Sequence, residues 1–139
     1  MENPRAAVLA IGTELLLGQI VNRNAGWISA QLLKMGIITL FHRTVPDDRA
    51  LIRSELQDLS TRVDLLFVTG GLGPTTDDLT RECIAEWAER PLEWHEESWG
   101  WIVERLSARK YPIRDIQRQQ CYFPAGSQVF RNRQGNAAG

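Results

Sequence analysis

The sequence predicts an α/β protein: a three-layer α/β/α arrangement around a mainly parallel sheet. Three observations lead there. Short apolar runs at 6–11, 37–45 and 64–68 have the length and composition of strands. Each is followed by a segment with apolar residues at helical spacing. Gly12, Pro46 and Gly70 close the three runs where the chain must turn. Strands that alternate with helices need crossover connections. Those are right-handed and cover both faces of a parallel sheet.

The first run, AAVLAI, is continuously apolar, as a strand buried on both faces should be. Residues 24–35 follow as a helix, with Ala25, Ile28, Leu32 and Met35 on one side and Gly36 as its stop. The second run, IITLFHRTV, is rich in β-formers and ends at Pro46. Asp47 or Asp48 can cap the next helix, on which Ile52, Leu56 and Leu59 share a face. After the third run and its glycine turn, 79–89 reads as a helix. Trp99, Ile102, Val103 and Leu106 mark another over 95–109. A polar helical stretch at 113–120 comes next. Residues 121–123 and 128–130 then flank Pro124-Ala125-Gly126 like two short strands around a turn.

A length of 139 residues suggests one domain over 1–139, and 43% hydrophobic content is enough for a core. A formal net charge of −1 gives no support for a nucleic-acid-binding surface. Arg105, Arg109, Lys110 and Arg114 cluster, but Glu104 and Asp115 dilute them, so they read as a solvated face. No segment has the roughly 20 apolar residues of a membrane span. The N-terminal stretch 1–5 lacks a signal-peptide core, so a cytoplasmic location is expected. Cys83 and Cys121 lack metal-type spacing and read as reduced thiols. His42 and His95 lack zinc-type company. The five tryptophans read mainly as core or subunit-contact residues.

In such sheets ligands bind beyond the carboxyl ends of the strands. That rule gathers Gly12-Thr13-Glu14, Pro46-Asp47-Asp48 and the turn from Gly70 on one acidic, glycine-lined rim. The turn, Thr69-Gly70-Gly71-Leu72-Gly73-Pro74-Thr75-Thr76-Asp77-Asp78, joins a strand to a helix. Glycines there bring backbone N–H groups up to a phosphate, and the helix start adds partial positive charge. It is neither a Walker A loop nor a dinucleotide fingerprint. Thr75 and Thr76 can donate to phosphate oxygens, whereas ionised Asp77 and Asp78 only accept. The two acids therefore suit a metal, a ribose hydroxyl or a water, and an N-cap would account for one of them. Glu14 can bind a metal or sugar hydroxyls, or simply begin a helical turn. Asn22 and Asn24 can meet a ligand or cap a helix. No Ser-His-Asp or Cys-His set is available near this rim, so covalent acyl chemistry is not expected. Metal-assisted attack on a phosphoanhydride needs no such nucleophile.

The stretch from Gly12 to Asn24 (GTELLLGQIVNRN) and the stretch from Thr69 to Thr80 (TGGLGPTTDDLT) together resemble the N-terminal domain of the CinA family of competence/damage-inducible proteins. That domain belongs to the molybdopterin-binding superfamily, with the MoaB/Mog-like molybdopterin adenylyltransferases and gephyrin-type domains. The resemblance covers nearly the whole chain. It implies an ADP-ribose pyrophosphatase that yields AMP and ribose 5-phosphate with a divalent metal (Mg2+ or Co2+) and K+. It implies Asp47 and Asp78 as catalytic residues, with Asp77, Asp78 and Glu14 as the metal-binding set. The substrate contacts it implies are Gly12, Thr13, Asn22, Thr69, Gly70, Gly71, Gly73, Pro74, Thr75, Asn132 and Gly135.

Three alternatives follow from it: the hydrolase, an adenylyltransferase of molybdenum cofactor biosynthesis, and a non-catalytic nucleotide- or protein-binding module linked to competence. A RecA-like partner is conceivable for the last. The family's tail pattern Asn-x-x-Gly-Thr-Ala-Pro-Gly, a loop that faces the ligand, is here Asn132-Arg133-Gln134-Gly135-Asn136-Ala137-Ala138-Gly139. The chain stops there, which suggests a domain incomplete at its C-terminus. A missing strand would leave a sheet edge or face for another subunit to cover, so a homo-oligomer is expected.

Overall fold

The computed structural model describes residues 3–139. Met1 and Glu2, the start of the stretch examined for a signal peptide, lie outside the described residues. The chain groups into two compact units, Met1–Gly71 and Leu72–Gly139.

The first unit holds β1 (Arg5–Ile11), α1 (Thr13–Leu16), α2 (Arg23–Lys34), β2 (Ile38–Val45), α3 (Arg49–Ser60) and β3 (Leu65–Thr69). The three strands form a parallel sheet in the order β2-β1-β3. The chain steps from β1 out to β2, then back across β1 to β3. Right-handed crossovers in opposite directions put α2 and α3 on opposite faces, which is the expected three-layer arrangement. Ala6 to Ile11 of β1 are all buried, at most 1% exposed. The small side chains of Ala6, Ala7 and Ala10 leave room for packing against the central strand. Ile52, Leu56 and Leu59 of α3 are buried as their spacing required.

Local signals set the boundaries. Gly36, at φ +75°, ends α2 with Ile37 N donating to Leu32 O and Gly36 N to Leu33 O, a Schellman closure. Asn22 caps α2, its Oδ1 accepting from Ala25 N at 3.3 Å. Asp48 caps α3, accepting from Leu51 N at 2.9 Å.

The second unit holds α4 (Thr80–Trp87), β4 (Leu92–Trp94), α5 (Glu96–Ala108), a 3-10 segment (Asp115–Cys121) and β5 (Tyr122–Pro124). Two expectations change here. Residues 128–130 form no strand; β5 pairs instead with β4, antiparallel, Glu93 opposite Phe123. Backbone pairing depends on partners distant in sequence, and the local turn signal at Pro124-Ala125-Gly126 could not identify them. The polar stretch at 113–120 is a 3-10 turn at Asp115–Cys121, not an α-helix. Its last residues, Gln120 and Cys121, are buried, and Ile102, Leu106 and Cys121 form a small core with Trp94 and Trp99 against it. His95 caps α5, its Nδ1 accepting from Ser98 N at 3.1 Å. No helix among the described residues is long and apolar enough to cross a membrane.

Gly70 ties β3 to β1. It sits at φ +86°, and a Cβ there would lie inside the contact radius of the Ile11 carbonyl oxygen. Both the conformation and the approach demand glycine. Gly70→Ala is therefore expected to destabilise the protein by about 2–4 kcal/mol, read as a lowered urea midpoint. An unchanged midpoint would show that the strand ends can separate without cost.

Candidate functional site

The register brings the strand ends of the first unit level. Ile11 lies opposite Val45 and Ala10 opposite Thr69. Gly12, Thr13, Glu14, Asp47 and Gly70 consequently follow the carboxyl ends of adjacent strands, as expected. Gly12 N donates to Val45 O at 2.9 Å, which closes β1 against β2. The Glu14 carboxylate folds back over Gly12: a Cβ at residue 12 would lie 2.5 Å from Oε1. Thr69 ends β3, and Gly70 and Gly71 continue at φ +86° and +64°.

Asp47 and Thr13 are joined by three hydrogen bonds. Asp47 Oδ2 accepts from Thr13 N at 3.0 Å and from Thr13 Oγ1 at 3.1 Å. Thr13 Oγ1 in turn accepts from Asp47 N at 3.1 Å. One carboxylate oxygen is thereby anchored. Among the described residues no donor meets Oδ1. Because Asp48 supplies the cap of α3, Asp47 is released from that structural duty.

The second unit repeats the device. Asp78 Oδ2 accepts from Thr75 N at 2.9 Å and from Thr75 Oγ1 at 2.7 Å. Asp78 is not the cap of α4. That position belongs to Leu79, which makes no side-chain capping bond. Partial burial works to raise the Asp78 pKa. Hydrogen bonds from the Thr75 hydroxyl and the Thr75 and Gly73 amides, with the nearby Arg81 charge, outweigh it and hold the carboxyl below its ordinary value. Gly73 is needed for this closeness, since a Cβ there would stand 2.5 Å from Asp78 Oδ2. Asp77 is exposed, and among the described residues its carboxylate has no hydrogen-bond partner.

Pro74 sits half-buried between Gly73 and Thr75 in this turn. The side chain of Asn22, expected to meet a ligand, is occupied in capping α2. Asn132 Oδ1 accepts from Gln134 N and Gly135 N at 2.9 and 3.0 Å, which folds the tail loop on itself. That loop borders a cavity of about 260 Å³ whose walls include Trp101, Arg105, Arg131 and Arg133. Arg105, expected on a solvated face, instead donates to the carbonyls of Arg133 and Gln134 at 3.2 and 2.7 Å. Charge counting along one segment could not see acceptors almost 30 residues away.

Two further residues escaped the sequence. Arg81 and Gln120 are buried, at 7% and 4% exposure, and both donate to backbone carbonyls of the glycine turn. Nothing in their spacing distinguishes them from surface polar residues. Among the described residues no three His, Cys, Asp or Glu side chains gather into a preformed metal cage.

The depressed Asp78 pKa has a pH signature. Its stabilising contribution is complete above the ordinary carboxylate pKa and is lost as pH falls through the lower folded-state value. Thr75→Val removes the hydroxyl donor. The expected result is a loss of about 1 kcal/mol at neutral pH that shrinks on acidification, measured as urea midpoints across the acid range. An equal loss at every pH would mean that Thr75 acts by packing alone.

Comparison with known proteins agrees with this fold. Residues 7–132 match the family described as "Probable molybdopterin binding domain". The chain is 41% identical over 135 residues to a competence-damage inducible protein of Clostridium botulinum strain Loch Maree, covering 97% of this chain and 33% of that protein. It is 45% identical over 133 residues to a CinA-like protein of Prochlorococcus marinus, covering 95% of this chain and 31% of that one. The chain thus spans about a third of the length of these curated relatives. Its fold matches the CinA protein of Thermoplasma acidophilum with a TM-score of 0.86 at 29% identity, over 99% of this chain and 80% of that one. The tungsten cofactor synthesizing protein MoaB of Pyrococcus furiosus shares the fold alone, with a TM-score of 0.62 at 21% identity over 78% of this chain and 68% of that one. The chain belongs to the molybdopterin-binding domain family, as a domain of the CinA N-terminal type.

Proposed function

We propose that this domain is a metal-dependent pyrophosphatase acting on ADP-ribose or a closely similar nucleotide, releasing AMP and ribose 5-phosphate. The observation that carries it is the pair of Thr-anchored aspartates. Asp47 and Asp78 are both released from helix capping, and each has one oxygen fixed by a threonine amide and hydroxyl. Fixed carboxylates of this kind can orient a water or hold a cation without reorganising during reaction.

The donor set fits Mg2+. That ion takes one or two carboxylates and fills its shell with water and phosphate oxygens, so a three-acid protein cage is not required. Asp78 with Asp77 would hold it, and it would supply Lewis-acid polarisation of the phosphoanhydride. Co2+ would serve the same ligands, with K+ as an accessory ion. Asp47 orients the attacking water through Oδ1 and accepts its proton, while Oδ2 stays tied to Thr13. Backbone N–H groups of Gly70, Gly71 and Gly73 bind phosphate oxygens. The tail loop at Asn132 and Gly135 borders the arginine-walled cavity, a suitable place for an anionic part of the substrate.

Purified chain incubated with ADP-ribose and Mg2+ is expected to release AMP. Asp78→Ala is expected to lower turnover by at least about 100-fold with its unfolding midpoint near wild type. If wild type is inert toward ADP-ribose but consumes ATP in a pterin-dependent manner, the adenylyltransferase is the better assignment. The fold shared with MoaB favours that second reading. Nucleotide binding without turnover of either substrate would leave a non-catalytic module, and a RecA-like protein would then be the partner to test.

We also infer a homo-oligomer in a reducing, cytoplasmic setting. Leu16, Leu17, Ile20, Val21, Trp27 and Leu33 of the first unit are each more than half exposed. So many large apolar groups within 18 residues of sequence are more than the scattered ones a monomer surface carries. Cys83 and Cys121 are buried. Sedimentation should give a mass above that of one chain, and Trp27→Glu should lower it. A monomeric wild type would exclude this assembly.

A further inference from the structure

We propose that Arg81 and Gln120 are positioning residues that fix the part of the glycine turn on which the Asp78 carboxylate packs, by clamping the Leu72 and Gly73 carbonyls. Arg81 Nη1 donates to Leu72 O at 2.6 Å and Nη2 to Gly73 O at 2.8 Å. Gln120 Nε2 donates to the same Leu72 O at 3.3 Å. Arg81 in the first turn of α4 and Gln120 at the end of the 3-10 segment, 48 residues after Leu72, thus converge on one peptide group.

The consequence follows from peptide geometry. In a planar trans peptide the carbonyl and the next N–H point in opposite directions. Drawing Leu72 O inward onto Arg81 and Gln120 turns the Gly73 N–H the other way. The Asp78 carboxylate packs against this same residue, its Oδ2 only 2.5 Å from where a Gly73 Cβ would lie. The chain of orientation runs from the buried guanidinium to the Leu72 and Gly73 carbonyls, to the Gly73 backbone, and to the Asp78 carboxylate packed on it. Gly73 permits it, because a Cβ would meet the carboxylate.

The energetics argue against a purely structural role. A buried guanidinium loses much of its hydration, and recovers it only if its donors are met with good geometry. A connection that merely had to turn could use water or an exposed side chain. Here a 93% buried cation is spent on two carbonyls of a three-glycine turn, with a buried amide in support. The planar fork of arginine matches two adjacent carbonyls at once, which the point charge of lysine does not.

The catalytic part of this inference rests on the pyrophosphatase reading; the conformational part stands without it. Four forms of the full chain decide both: wild type, Arg81→Lys, Arg81→Met and Gln120→Leu. The amide shifts and hydrogen-exchange protection of Gly73 and Thr75 are followed by NMR, beside kcat and KM for ADP-ribose with Mg2+. Arg81→Met is expected to lose protection at both amides and to lower kcat by about 10–100-fold with KM nearly unchanged, as loss of an orienting partner does. Gln120→Leu should move the same amides less, and Arg81→Lys should restore part of the loss. If Arg81→Met does not fold, the Gln120→Leu and Arg81→Lys comparison carries the test. Wild-type amide behaviour at Gly73 and Thr75 in the folded variants overturns the proposal, even where their melting temperatures fall. If wild type itself turns over no ADP-ribose, the pyrophosphatase reading fails while the amide measurements still decide the clamp.

Discussion

The structure of the first unit depends on β1 being buried along its whole length. A strand flanked by two others and covered on both faces has no polar position to offer, and the run from Ala6 to Ile11 offers none. Its alanines hold side-chain volume down in the centre. With β1 central, the order β2-β1-β3 follows, and the chain must cross it from one edge to the other. The carboxyl ends of all three strands then fall side by side. The location of Gly12, Asp47 and Gly70 is thus a consequence of packing before it is a consequence of chemistry. The closeness of Gly70 to the Ile11 carbonyl is the point where both requirements meet.

Adjacent acids divide their labour in both units. At 47–48, Asp48 caps α3 and Asp47 turns to Thr13. At 77–78, Asp78 turns to Thr75 while Asp77 stays in solvent. A single aspartate before a helix would have been drawn to the free amides of the first turn, because capping contributes about 1 kcal/mol. A second acid relieves that competition at 47–48. At 77–78 the competition is resolved differently: Thr75 supplies the stronger pair of donors, an amide and a hydroxyl to one oxygen. The same local chemistry, a threonine closing on an aspartate, arises from residues 34 apart in one case and three apart in the other.

Much of this was legible in the sequence because it depends on local pattern. The buried strand at 6–11, the glycine stop at Gly36 and the apolar face of α3 need only composition and spacing. The rim acids needed one more rule, that parallel strands end together. What stayed hidden depends on partners distant along the chain. Residues 128–130 look like a strand, yet β5 takes β4 as partner. Gln120 looks like part of a polar helix, yet it is buried against Leu72. Arg81 looks like the outward residue of a short helix, and Arg105 like part of a solvated patch. In each case a polar side chain answers a carbonyl that no periodicity marks, since backbone acceptors occur at every residue.

The state of the glycine turn bears on how a hydrolase of this design must work. The Thr75 amide and the Thr75 hydroxyl are already turned to an anion, the carboxylate of Asp78. A pyrophosphate approaching the same donors would meet that charge. Two like unit charges about 4 Å apart repel by about 4 kcal/mol at an effective dielectric of 20, close to a thousandfold in affinity. Arg81 offers the phosphate no hydrogen bond, because its guanidinium is buried with both terminal nitrogens on carbonyls. The turn alone is therefore a poor phosphate cradle and becomes a good one only when positive charge arrives with the substrate. In the proposed pyrophosphatase the divalent ion is accordingly a condition of substrate binding as well as of bond cleavage. The acidic end of a phosphate-type turn, odd as a plain anion site, is what such a metal-linked site requires.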